Sequence, residues 1–535
     1  MCLVINRPHF LSSVSHRFFY DDTMSTSAKS EFQNELTKTF LNLEKLDLNI
    51  FRSHRLLEGM TWSSRVYGGQ VIGQALVAAS NTVEQGFHPH SLHCYFVKAG
   101  NVHQPILYTV DRVRDSRSYC TRFVKAIQNG ASIFTSELSF HVEEADSIKH
   151  QVEMPKVTPP EELDDASTLL TRWSQDPNLS EGRRKFLENR LEGLPRTFNV
   201  KPVDPLAYLR VTATPPSFFI WVKPTQPIGD DVRLHQCVAA YISDGLMIPT
   251  SLLPHAASGF KVGMLSSLDH AIWFHQPKFT IDDWMLYDQP PPPATSHRLL
   301  EGMTWSWRVY GGQVIGQALV AASNTVDEGF HPHSLHCYFV KAGNVHQPIL
   351  YTVDRVRDGR SYCTRFVKAI QNGASIFTSE LSFHLEEADS IKHQEEMPKV
   401  TPPEELDDAS TLLTRWSQDP NLSEGRRKPK QPIGDDVRLH QCVAAFISDA
   451  LLLPMSLLPH AASGFKVGML GSLDHAIWFH RPKFTIDDWM LYETHSPVAG
   501  GGRTLILGKF WSRDGVLALS TAQEGLVRAG NNSRF

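Results

Sequence analysis

The 535-residue chain has no CxxC pair, no long run of like charge and no uninterrupted apolar run of membrane-spanning length. Its seven cysteines, Cys2, Cys94, Cys120, Cys237, Cys337, Cys363 and Cys442, are odd in number and widely spaced. That excludes a dense disulfide framework and fits reduced thiols in an intracellular compartment. The formal net charge is only -5, with no basic block in either half, so the electrostatic footprint of a nucleic-acid partner is missing. The longest apolar runs, such as Ala75 to Ser80 and Ala450 to Leu458, fall far short of the ~20 residues of a membrane span. The C-terminal Asn532-Ser533-Arg534-Phe535 is not the S-K-L address of a peroxisome. Residues 1–20 hold Arg7, Arg17 and several serines with no acid before Asp21, the pattern of a mitochondrial transit peptide. Translation from Met24, leaving the first residues as upstream sequence, and a disordered tail are the other readings of that segment.

What is present is the material of a globular protein: 41% hydrophobic, 20% charged and 10% aromatic residues. The length exceeds what one hydrophobic core fills, so three or four units are expected.

An internal repeat decides how those units are arranged. His54 to Lys185 recurs as His297 to Lys428 with six differences, among them Ser64 against Trp307 and Val152 against Glu395. Gln226 to Tyr287 recurs as Gln431 to Tyr492 with seven. The copies are incomplete in complementary ways. Copy two lacks Phe186 to Lys223 and any counterpart of Phe40 to Arg52. Copy one stops at Tyr287 and runs into a proline-rich linker over 288–296, stiff and poor in sheet donors. The glycine-rich turn and two strand-like runs of Ser496 to Arg528 occur once.

Within a copy, Gly68 to Val83 is apolar on nearly every face and kept slender by glycine and alanine, the mark of a buried helix. Strand-like runs follow at Ser91 to Lys98, Ile106 to Arg114, Ser118 to Gln128 and Ser132 to His141, and Asn129-Gly130 carries a strong hairpin signal. A long helix followed by an antiparallel sheet that wraps it is the hot-dog plan. The acidic, proline-rich stretch from Glu143 to Glu181 reads as a connector. A second unit of the same kind is expected to open with the strand Phe218 to Lys223. A helix near Ser243 to Leu253 and strands at Met264 to His275 and Trp284 to Tyr287 continue it. The expected class is therefore α+β, tandem hot-dog folds with a double unit duplicated and truncated. Its parts are a tail over 1–39, hot dog 1 over 40–145, a connector over 146–210 and hot dog 2 over 211–287. After the linker come hot dog 3 over 297–388, a shortened connector over 389–430 and hot dog 4 over 431–535.

Seven motifs in order carry a family resemblance: LNLEKLD at Leu41, YGGQVIGQAL at Tyr67, HSLHCYFVKAG at His90, IQNG at Ile127, CVAAYISD at Cys237, SLDHAIWFHQP at Ser267 and DGVLALSTAQEG at Asp514. The chain resembles the acyl-CoA thioesterase II family, double hot-dog enzymes, and within it the peroxisomal branch. The resemblance implies hydrolysis of fatty acyl-CoA to free fatty acid and CoA, with no metal or cofactor. It implies a catalytic Asp, Ser or Thr, and Gln in the second hot dog. Carried over, the Asp falls on Asp244 and Asp449, the Ser on Ser267 and Ser472, and the Gln on Gln523 alone. Family members associate, so a homo-oligomer or an internal pseudo-dimer is implied; cytoplasm and mitochondrion stand as alternatives to the peroxisome.

Those residue types suit the reaction. A thioester carbonyl is electrophilic, so water held by a carboxylate, a hydroxyl and an amide can attack it directly while the carboxylate takes the proton. The oxyanion needs N–H donors, and the glycine-led helix start offers Gly69 and Gln70, or Gly312 and Gln313. Other readings stay open. Asp244 and Asp449 follow a serine before an apolar run, as helix N-caps do. Ser267 and Ser472 also read as ordinary strand hydroxyls, and Gln523 as a solvated strand position. His88, His90, His93 and Cys94 have the density of a metal cluster, but the period of a strand sends His90 and His93 to opposite faces.

The truncations set a rival function, an inactive acyl-CoA-binding or scaffolding protein. Copy one is expected to be open at the edge where its terminal strands are missing, and copy two to be one strand short. A repair is conceivable in which Phe218 to Lys223 pairs with the catalytic half of copy two.

Overall fold

A computed structural model describes residues 42–530 apart from 57–63, 195–196, 257–261, 263–264, 290–307, 389–390, 407–433 and 462. The expected tail over 1–39 and nearly all of the proline-rich linker lie outside the described residues. The chain divides into two compact units. Unit 1 draws on residues up to Ala145 and on Val152–Pro291, and unit 2 on Asp146–Gln151 and the chain from Pro292 onward.

Along the first copy the strands are β1 (Glu44–Asp47), β2 (Ile50–Arg52), β3 (Phe87–Phe96), β4 (Leu107–Asp115), β5 (Tyr119–Gln128) and β6 (Ala131–Val142). After the two-residue β7 (His150–Gln151), which belongs to unit 2, come β8 (Phe198–Pro202), β9 (Phe218–Pro224), β10 (Asp269–Trp273) and β11 (Met285–Gln289). Helices α1 (Gly68–Ser80), α2 (Ala166–Ser174), α3 (Glu181–Glu192), α4 (Pro205–Leu209) and α5 (Val232–Met247) complete unit 1. Its main sheet runs β1-β2-β4-β5-β6-β3-β10, and β11-β9-β8 form a separate three-stranded sheet.

Helix α1 lies against that sheet and against α5. Its side chains from Val71 to Ala79 are almost fully buried, which is why the run has no polar face. Gly69 is where the two helices come closest: a Cβ there would sit 2.6 Å from the Tyr241 carbonyl oxygen. At the β5–β6 hairpin Asn129 and Gly130 adopt φ of 51° and 74°, the turn whose twist matches the strands it joins.

Unit 2 repeats this with α6 (Gly311–Ser323), β12 (Phe330–Phe339), β13 (Leu350–Asp358), β14 (Tyr362–Gln371), β15 (Ala374–Leu385) and α7 (Val437–Leu452). It then continues through β16 (Val467–Ser472), β17 (Asp474–Phe479), β18 (Met490–Gly500), β19 (Arg503–Ser512) and β20 (Leu517–Ala529). One ten-stranded sheet results, β13-β14-β15-β12-β17-β20-β19-β18-β7, with β16 also pairing β20. In unit 1 the counterparts of β19 and β20 do not exist, so β10 and β11 have nothing between them and the sheet splits.

The missing counterpart of β1 and β2 has the opposite effect on unit 2. In unit 1, Phe51 packs on α1 and Gln70 Nε2 donates to the Arg55 carbonyl. In unit 2, Gln313, Gln317 and Val320 on the same helix face are exposed; Val77 is 3% accessible and Val320 44%.

Several expectations are corrected. The helix placed near Ser243 starts eleven residues earlier, at Val232, with the Asp231 carboxylate accepting the Arg233 N–H as its cap. It passes into a 3-10 turn at Ile248–His255, where Pro249 has no N–H to continue the α ladder. Asp244 and Asp449 are therefore near helix C-termini and are not N-caps; Asp436 caps α7. Between Ser496 and Arg528 the glycine-rich turn is Gly501–Gly502, at φ of 58° and 70°, and the two strand-like runs are β19 and β20, while β18 extends from Met490 up to that turn. The strand from Phe218 does not repair copy two: β9 pairs β8 and β11 inside unit 1. On its outer edge β18 is paired by His150–Gln151 at Val498 and Ala499, beyond the stretch equivalent to β11. Finally, Val232–His255 and Val437–His460 are long and apolar enough to cross a membrane by length and composition, although neither is an uninterrupted apolar run. More than half of each is buried within the protein.

Candidate active site

In unit 2 three elements deliver three side chains to one point. Asp449 stands on the last turn of α7, Ser472 ends β16 and Gln523 lies in the middle of β20. Ser472 is paired with Gly525, two residues from Gln523, so the period of two along β20 puts the hydroxyl and the amide on the same face. Gly525 itself makes room for Leu453, which follows α7: a Cβ there would collide with the leucine side chain.

The hydrogen bonds close a ring. Ser472 Oγ donates to Asp449 Oδ1 at 3.1 Å, and Gln523 Nε2 donates to the same oxygen at 2.6 Å and to Ser472 Oγ at 2.9 Å. The other carboxylate oxygen accepts the Gly312 N–H at 2.8 Å. Asp449 is 7% exposed and Gln523 fully buried, while Ser472 is half-buried. Burial pushes the Asp449 carboxyl above its ordinary 3.8, against the hydrogen bonds from Gln523, Ser472 and the Gly312 amide. Both Gln523 amide hydrogens are used, while its Oε1, also buried, has no partner among the described residues. The site therefore holds a carboxylate with raised proton affinity beside an unsatisfied acceptor, an arrangement that can bind and deprotonate a water.

Two sequence-derived placements change. The Gly312 N–H, taken as an oxyanion donor, is committed to Asp449 and holds the carboxylate instead. Gln70 N–H bonds the Tyr67 carbonyl and its side chain the Arg55 carbonyl, while Gln313 is exposed; Gly69 bonds Asp244 as Gly312 bonds Asp449.

Unit 1 has half of this arrangement. Ser267 Oγ donates to Asp244 Oδ1 at 2.7 Å, and burial likewise raises the Asp244 carboxyl. With no counterpart of β20 there is no Gln523, and residues 265–267, equivalent to the end of β16, have no strand to pair with and form none.

Sequence reasoning missed the supporting groups. Tyr310 donates to the Phe446 carbonyl at 2.8 Å, and Tyr492 bonds the Ser448 carbonyl at 3.2 Å and Thr521 at 3.1 Å; both rings flank Asp449. Ser448 donates to the Ala445 carbonyl and lies 2.8 Å from His475 Nε2, so that nitrogen carries the proton. Burial drives His475 down to about 3, keeping it neutral. The one available signal was the repeated pair of a serine in ISD and a histidine in SLDH, which has no meaning until β17 is set beside α7. Of the histidines near Cys94, His90 bonds Ser139 at 2.7 Å while His93 faces Trp273, so they lie in different surroundings. Among the described residues no three His, Cys, Asp or Glu side chains group as a metal site.

Comparison with known proteins agrees along the chain. Residues 217–306 and 425–526 match the family described as acyl-CoA thioesterase, and residues 58–141 and 301–384 match the acyl-CoA thioesterase N-terminal domain. The chain is 45% identical to acyl-coenzyme A thioesterase 8 of Rattus norvegicus over 262 residues, 42% of this chain and 81% of that protein. It is 34% identical to acyl-CoA thioesterase 2 of Haemophilus influenzae over 253 residues, 41% of this chain and 88% of that one. Identity to the peroxisomal acyl-coenzyme A thioester hydrolase 1 of Saccharomyces cerevisiae is 28%, over 47% of this chain and 83% of the yeast protein.

Proposed function

Because the chain belongs to the acyl-CoA thioesterase family and is a thioester hydrolase acting on acyl-CoA, we propose that Asp449, Ser472 and Gln523 of unit 2 are its catalytic residues. The observation that carries the assignment is the closed ring of hydrogen bonds among the three, with the Gln523 oxygen left over. Water donates one hydrogen to Gln523 Oε1 and accepts the Ser472 O–H, which turns to it from Asp449. Asp449 takes its other proton as the oxygen attacks the thioester carbonyl and passes it to the departing sulfur as the C–S bond breaks, so CoA leaves as the thiol and the fatty acid is released. No covalent acyl-enzyme is needed. Asp244 and Ser267 lack the amide partner and contribute no turnover.

Fatty acyl-CoA is the substrate under this reading. The name of the yeast relative supports a peroxisomal location, and association into a homo-oligomer is part of the same proposal. The test is release of free thiol from palmitoyl-CoA by the purified full chain beside Asp449→Asn and Asp244→Asn. Turnover lost in Asp449→Asn alone supports the assignment; equal loss in Asp244→Asn, or none in Asp449→Asn, rejects it.

A further inference from the structure

A cluster of three arginines in unit 1 has no part in the catalytic proposal. Arg183 and Arg190, seven residues apart on α3, share the helix face of Phe186. Arg210, the residue that ends α4, reaches the same ring. The guanidinium carbons of Arg183, Arg190 and Arg210 lie 4.9, 5.8 and 5.9 Å from the Phe186 centroid, and that of Arg190 lies 4.4 Å over Tyr208.

One guanidinium over an aromatic ring is ordinary packing. Three around one ring repel each other. The hydrogen bonds of Arg183 go to the Leu209 and Arg210 carbonyls and that of Arg190 to the Tyr208 carbonyl. None of the three pairs with a carboxylate among the described residues. All three are half-buried, so water does not fully screen them. The repulsion registers on Arg210, pushed down to about 10 by burial first and then by Arg190 and Arg183. Arg210 is also held in left-handed backbone, φ 56°, a conformation that a side chain other than glycine or asparagine seldom adopts and that gathers at ligand sites.

We propose that Arg183, Arg190 and Arg210 form a binding site for a phosphate-type anion, either a phosphate group of coenzyme A or free inorganic phosphate. The guanidinium N–H groups not spent on those carbonyls suit the oxygens of a phosphate, whose negative charge offsets the mutual repulsion of the three. The site occurs once, because copy two lacks Phe186 to Lys223 and with them Arg190 and Arg210. Its floor is tied to the half-site of unit 1: Tyr208 stacks parallel to Phe218 at 6.1 Å and packs with Met247 and Leu253, at and beyond the end of the helix that carries Asp244. The inference does not depend on Asp449 being the base.

The experiment labels arginines of the full chain with phenylglyoxal and reads each site by peptide mass spectrometry, with inorganic phosphate, coenzyme A or phosphate-free pantetheine present. Phosphate and coenzyme A are expected to slow modification of Arg183, Arg190 and Arg210 several-fold and to leave the exposed Arg117 unchanged. Protection by coenzyme A at the lower concentration identifies its phosphate as the ligand, and equal protection identifies inorganic phosphate. No protection by either, or equal protection by pantetheine, overturns the site. Calorimetric titration of phosphate into R190Q/R210Q gives a second reading: a folded variant with unchanged affinity also overturns it, and the labelling result stands whether or not the variant folds.

Discussion

Gln523 donates to Asp449 at 2.6 Å across the seam between the last strand and the last long helix, so the proposed base is held by a segment that occurs once in the chain. Removing that amide should be nearly as costly as removing the base. Gln523→Ala is expected to lower kcat by about 10²-fold with a small change in KM, since the lost contacts orient water rather than hold substrate. A rise in KM at constant kcat would contradict that role.

The raised Asp449 carboxyl fixes the direction of the acid limb. The group works as a base only when ionised, so kcat should fall as pH drops through a value above 3.8, the ordinary position for an aspartate. A pH–rate profile that remains flat down to 3.8 would exclude Asp449 as the titrating base.

Gly312 should tolerate no side chain. A Cβ there would run into the Phe446 carbonyl and the Tyr310 ring, forcing α6 from α7 and shifting the N–H that holds Asp449. Gly312→Ala is expected to cost about 1–3 kcal/mol, as overpacking does, and most of the activity, whereas Gly69→Ala should destabilise unit 1 and spare turnover. Thermal unfolding and thiol release together check it.

His475 gives unit 2 an acid-sensitive stability. Its folded value, about 3, lies below the ordinary 6.5, so the folded state binds fewer protons than the unfolded one between those limits. The stability it contributes is complete above 6.5 and is lost as pH falls toward 3, by about 1.4 kcal/mol per unit. Denaturant unfolding at pH 7 and pH 5 should show a slope shallower in His475→Gln than in the native chain, where His150, His270 and His480, lowered to about 4, add their own share.

Much of this was legible in the sequence, for reasons that differ from element to element. The all-round apolar run at Gly68 and the Asn129-Gly130 turn are local signals, and both elements lie where those signals put them. Helix α5 was misplaced because Arg233, His235 and Gln236 break the apolar run that the eye follows. His235 and Gln236 are in fact buried, satisfied by the Gly229 and Pro277 carbonyls, which only the tertiary structure supplies. The trio of Asp449, Ser472 and Gln523 came from family resemblance; no spacing along the chain predicts that residues 74 and 51 positions apart share hydrogens. The commitment of Gly312 to Asp449 was not legible at all, since a backbone N–H has no letter of its own.

Leu107 and Leu350 are the same residue of the same strand, yet the first is 37% accessible and the second 63%, because β13 is the bare margin of its sheet while β4 is covered by β2. A bare margin presents unpaired N–H and C=O groups in a row, and another polypeptide in extended form satisfies them. For anyone handling this protein the consequence is practical: Leu350→Lys is expected to raise soluble yield by blunting that margin, with thiol release unchanged.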